Sequence, residues 1–86
     1  MRGASFFKTM MSMQQQKIRI WKDKLVALEE ELVAIMQRKG EAAQDGDLRE
    51  NAAYQSAVED ADLWRAKIGD VRKIISDLEK NDEGKR

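Results

Sequence analysis

The sequence predicts an all-α protein, an antiparallel two-helix coiled-coil hairpin that carries an acidic tip loop. Three observations predict it. Large apolar residues recur at alternating steps of three and four along two long stretches, the period of a coiled-coil seam. There is no proline anywhere in the chain, so long helices are not interrupted. A short glycine-containing turn, Asp45-Gly46, separates the two stretches, and a connection that short forces antiparallel neighbours.

The first stretch follows positions 7, 11, 14, 18, 21, 25, 28, 32, 35, 39 and 42. They read Phe, Met, Gln, Ile, Trp, Leu, Leu, Leu, Ile, Lys and Ala. Gln14 and Lys39 are polar breaks in this seam. The second stretch runs Tyr54, Ala57, Ala61, Trp64, Ile68, Val71, Ile75 and Leu78 without a fault. Its small early members allow the helices to approach closely near the tip. The expected helices cover about residues 5–44 and 48–80, with Ser5 as a candidate N-cap. Facing seam residues then have numbers summing to about 93, so that Leu28 meets Trp64 and Trp21 meets Val71. The hairpin as a whole covers 5–80 with its tip at 45–50, and 81–86 reads as a polar, fraying tail.

Residues 1–13 read as an apolar leader continuing into helix one. Phe6, Phe7, Met10 and Met11 have little opposite them in this pairing and form the candidate partner contact. A surface for a partner or a second copy, a disordered leader and a membrane contact all fit such a patch. The patch is too short and too broken to span a bilayer and has no signal-peptide pattern, so the expected location is cytoplasmic.

With 86 residues, the chain is a single small domain whose core alone supplies little stability. Cysteine and histidine are both absent. That excludes disulfide staples, thiolate metal sites and imidazole acid–base chemistry. Charge is balanced at 16 basic and 16 acidic residues but unevenly spread. Glu41, Asp45, Asp47, Glu50, Glu59, Asp60 and Asp62 are opposed between 41 and 62 by Arg49 alone. A rod polarised in this way enters a positively charged or metal-containing cavity tip first, although charge clusters also serve simply to solvate a helix face.

The tip itself reads Gly46-Asp47-Leu48-Arg49-Glu50-Asn51. Two carboxylates three residues apart at a helix start have two meanings. Asp47 and Glu50 fit a capping box, with Asp47 as N-cap and Glu50 reaching back to its amide. They also fit a metal-holding pair, because Mg²⁺ is commonly held by one or two carboxylates with phosphates and water completing its shell. A cap can fix the backbone that aims such a pair.

Gly46-Asp47-Leu48-Arg49-Glu50-Asn51-Ala52-Ala53-Tyr54 resembles the tip of the GreA/GreB family of bacterial transcript-cleavage factors. The likeness is specific over roughly residues 41–78 and looser over the first helix, and it covers one of the family's two domains. It implies a coiled coil that inserts into the secondary channel of RNA polymerase and stimulates cleavage of backtracked transcripts. Bacterial RNA polymerase would be the partner, and the nascent RNA 3′ end would be met indirectly. By position, Asp47 and Glu50 correspond to the acidic pair that helps hold the second, weakly bound Mg²⁺ of the polymerase active site. Gly46, Leu48, Arg49, Asn51 and Tyr54 would shape the tip. The factor is then no enzyme itself but a cofactor-like stimulator of the polymerase's own hydrolysis, and it binds Mg²⁺ weakly or not at all in isolation. Positions that in the family commonly hold arginines behind the tip are Ala43 and Val58 here. A channel-occluding inhibitor and a plain coiled-coil dimerisation module, with no polymerase role, are the alternative classes.

Overall fold

A computed structural model describes residues 12–84, with side-chain surroundings given through residue 81. Among the described residues, two helices, α1 (Met13–Ala43) and α2 (Ala52–Gly84), pack against each other as a hairpin. At ~1.5 Å per residue they are about 46 and 50 Å long.

Helix α1 starts later than the sequence reading placed it, because Ser12 and Gln15 form a capping box. Gln15 N–H donates to Ser12 Oγ and Ser12 N–H to Gln15 Oε1, each at 3.1 Å. The Ser12 backbone is extended, with φ −67° and ψ 162°, so the helix begins at Met13. The apolar residues Phe6, Phe7, Met10 and Met11, and the expected start near Ser5, lie outside the described residues. Helix α2 also starts later, at Ala52 instead of 48, and it continues to Gly84 where fraying was expected after Lys80.

The seam is where the heptad pattern put it. Among the described residues, every position from Gln14 to Ala42 in α1, and from Tyr54 to Leu78 in α2, is buried or half-buried. The fully buried members are Ile35, Ala42, Ala57, Ala61, Ile68, Val71 and Ile75. Five of these seven lie on α2, and the alanines cluster toward the tip. Trp21 and Trp64 are half-buried, each with a lysine ammonium over its ring. Lys24 Nζ lies 5.3 Å from the Trp21 centroid and Lys67 Nζ 4.1 Å from that of Trp64, both within cation–π range.

Contacts at the two ends of the hairpin fix the pairing. Near the base, Gln14 Nε2 donates to the Leu78 carbonyl at 3.0 Å. Near the tip, Asn51 Nδ2 donates to the Ala42 carbonyl at 2.6 Å. Between them, Trp21 and Val71 line one hollow. These pairs agree with the 93-sum expectation, and they explain the first polar break: Gln14 spans the seam to bond α2. The second break is Lys39, which is half-buried and whose Nζ lies 5.8 Å from the Tyr54 ring centroid. An amphipathic side chain can occupy a seam in this way with its charge at the edge.

Candidate functional site: the hairpin tip

Helix α1 stops at Ala43. The amide of its C-cap, Gln44, turns back onto the Ala42 and Glu41 carbonyls, and Asp45 N–H donates to Ala42 O at 3.1 Å. Gly46 then reverses the chain with φ +109°, a value that L side chains rarely adopt.

Asp47 is not the cap of α2. Its Oδ1 accepts from Arg49 N–H two residues on, at 3.0 Å, the local turn that aspartate favours outside helices. The N-cap is Asn51, whose Oδ1 accepts from Tyr54 N–H at 3.0 Å. Both Asp47 and Asn51 are good N-cap types. Asn51 prevails because its other amide atom simultaneously satisfies the Ala42 carbonyl across the hairpin, which an aspartate cannot do. The expected Asp47–Glu50 capping box is therefore absent, and the two carboxylates stand in a separate loop before the helix.

Gly46, Asp47, Leu48, Arg49 and Glu50 are all exposed, whereas Asn51 and Tyr54 are half-buried. Among the described residues the Glu50 carboxylate and the Arg49 guanidinium have no hydrogen-bond or ion-pair partner, and Asp47 uses one carboxylate oxygen of two. Gln55, which the sequence reading did not single out, donates from Nε2 to the Arg49 carbonyl at 2.8 Å. It sits one turn after Asn51, where a long amide can reach back over the loop.

The acidic field is concentrated at the apex. Of the seven acids between 41 and 62, Asp60 pairs with Arg38 at 2.6 Å and Asp62 with Arg65 at 3.4 Å. The remainder, from Glu41 through Glu50 and including Glu59, are without an ion pair among the described residues. The described residues contain no group of three or more potential metal-ligating side chains. The Asp47–Glu50 pair can thus supply only part of an ion's shell, the rest having to come from elsewhere.

The described residues thus form a helical hairpin whose exposed apex carries Asp47 and Glu50. The chain belongs to the GreA/GreB family: residues 11–79 match the family model described as transcription elongation factor, N-terminal. No curated protein and no solved structure matches the chain. Family membership implies RNA polymerase as the partner and an elongation-factor-like role. No helix among the described residues is long and apolar enough to cross a membrane.

Proposed function

We propose that the hairpin enters the secondary channel of bacterial RNA polymerase tip first and stimulates hydrolysis of backtracked transcripts, in the cytoplasm, with no active site of its own. The observation that carries this reading is the unsatisfied state of the tip acids: the Glu50 carboxylate has no partner among the described residues and Asp47 has a free carboxylate oxygen. Both sit exposed at the apex of the hairpin. In isolation such oxygens are merely hydrated. Inside the polymerase they would hold the weakly bound Mg²⁺ together with polymerase carboxylates. When bound there, the ion supplies Lewis-acid activation of water and charge neutralisation during in-line displacement.

The residues of this chain contribute position and charge. The concentration of unpaired acids at one end steers that end toward a cationic, metal-containing cavity. Leu48, 40% exposed, and Arg49, whose guanidinium has no partner among the described residues, flank the acids and are available to the transcript or channel wall. The seam does the remaining work, holding the apex far from the base.

The test is cleavage of the transcript in a stalled elongation complex. Asp47→Asn with Glu50→Gln should abolish stimulation, since neutral amides are far poorer Mg²⁺ ligands. The double variant should still compete with the unsubstituted chain for polymerase. Folding should hardly change. The side-chain carbonyl introduced by Asp47→Asn still accepts from the Arg49 amide, and the Glu50 carboxylate makes no bond to lose. Equal cleavage by the two proteins would sink the metal-ligand reading. Inhibition of nucleotide addition by both, with cleavage by neither, would show a channel plug instead.

A further inference from the structure

The geometry points to Gln55 as a positioning residue for the tip acids, holding both in one orientation through the Arg49 peptide; this rests on the functional reading above. The turns within the loop are weak by themselves. Glu50 N–H reaches Asp47 O at 3.3 Å and Asn51 N–H reaches Leu48 O at 3.4 Å, both beyond the usual ~2.7–3.2 Å range for such bonds. Better bonds run through Arg49. Its N–H orients Asp47 by donating to Oδ1 at 3.0 Å, and its carbonyl accepts from Gln55 Nε2 at 2.8 Å. That carbonyl belongs to the peptide joining Arg49 to Glu50, so the same bond restrains the backbone from which Glu50 projects.

Gln55 is itself anchored. Its backbone N–H donates to Asn51 O at 3.0 Å, the first turn of α2, and Asn51 is in turn bonded to Ala42 O of α1 at 2.6 Å. A continuous chain of contacts thus joins the two-helix body to the Arg49 peptide and, through it, to both carboxylates. No other described side chain outside the loop bonds residues 47–50. The Arg49 side chain is left free by this arrangement, since the anchor uses only its main chain.

The experiment compares the full chain with two variants, Gln55→Met and Gln55→Glu. Both substitutes are good helix formers, and they share only the loss of the amide donor. Backbone ¹⁵N relaxation on the free proteins should find the 47–50 amides near helical order in the original, with S² about 0.85, and below about 0.6 in both variants. Helix amides should be unaffected. With polymerase, the maximal rate of stimulated cleavage should fall at least threefold, while the concentration for half-maximal effect stays within twofold. Loss of rate without loss of binding is the mark of misplaced acids; a residue that only supports the fold would move melting and half-saturation instead. Unchanged tip order in either variant, or disorder spreading into α2, would overturn the proposal. If the original chain stimulates no cleavage, the cleavage reading fails on its own, and the relaxation contrast still supports or overturns the clamp.

Discussion

Asn51 carries two bonds that can be removed one at a time. Its Oδ1 caps α2 at Tyr54 N–H, and its Nδ2 ties α2 to the last turn of α1 at Ala42 O. Asn51→Asp keeps the cap, because aspartate is as good an N-cap as asparagine, and deletes only the tie. Ala42 O is not orphaned, since Asp45 N–H still reaches it at 3.1 Å. The loss is then one net hydrogen bond, about 1 kcal/mol. The new carboxylate favours the α2 N-terminus and opposes the α1 C-terminus by similar amounts, each about 0.3–1 kcal/mol, so these effects nearly cancel. Asn51→Ala removes both bonds and should cost about 2 kcal/mol, the cap contributing roughly half. At ~4–8 °C per kcal/mol for a domain of this size, melting should fall by about 6 °C for Asn51→Asp and about 12 °C for Asn51→Ala. Thermal unfolding followed by circular dichroism at 222 nm reads this directly. If Asn51→Asp melts with the original chain, the tie to Ala42 contributes nothing. If it melts with Asn51→Ala, the cap contributes nothing. Either result breaks the account of why α2 starts at Ala52.

Glycines at two sites should respond in opposite directions, with urea unfolding as the check. Gly69 lies mid-helix where an added Cβ meets no atom within 4 Å, so Gly69→Ala should stabilise by about 1 kcal/mol. Gly46→Ala finds equally open space but inherits φ +109° and should destabilise by about 1–2 kcal/mol on backbone grounds alone. Ala57, fully buried in the seam, has no room for a larger side chain. Ala57→Leu should cost about 1–3 kcal/mol through overpacking and splay the tip half of the hairpin, visible as faster amide exchange in residues 52–60.

The body of the hairpin was legible because a three–four step pattern is a direct imprint of one buried face. Ile18, Leu25, Ile68 and Ile75 could face only one way, and small residues such as Ala57 and Ala61 marked where the helices come closest. The ends were less legible, since local patterns compete there. Asp47-x-x-Glu50 reads as a helix start as well as Asn51-x-x-Tyr54 does. What decides between them is the reach of the Asn51 amide to Ala42, nine positions back in sequence and on the other helix. Ser12-x-x-Gln15 was hidden for a different reason: the apolar run before it continues the heptad phase, so nothing in periodicity alone announces a break at Ser12. Gln14 and Lys39 looked like faults in the seam. One is a cross-helix hydrogen bond, and the other is a seam position that an alkyl stem can fill.

The exposed ion pairs along the hairpin bear on error more than on strength. Lys22–Glu79 at 3.1 Å, Glu29–Arg72 at 2.8 Å and Arg38–Asp60 at 2.6 Å bridge α1 and α2, and exposed pairs of this kind are worth only about 0.2–1 kcal/mol each. Their sequence of signs matters more. Sliding α2 by one heptad, about 10.5 Å along the axis, would bring Glu29 against Glu79 and Arg38 against Lys67. Sliding it the other way would set Lys22 against Arg72 and leave Arg38 facing Ala53, with only Glu29 still matched, against Arg65. A repeating seam of Leu, Ile and Ala would tolerate either slip far better than this charge order does, and flanking charges set partner choice in coiled coils in the same way. The rod therefore behaves as a gauge of one length: the distance from its base to its acids is written in the order of its surface charges.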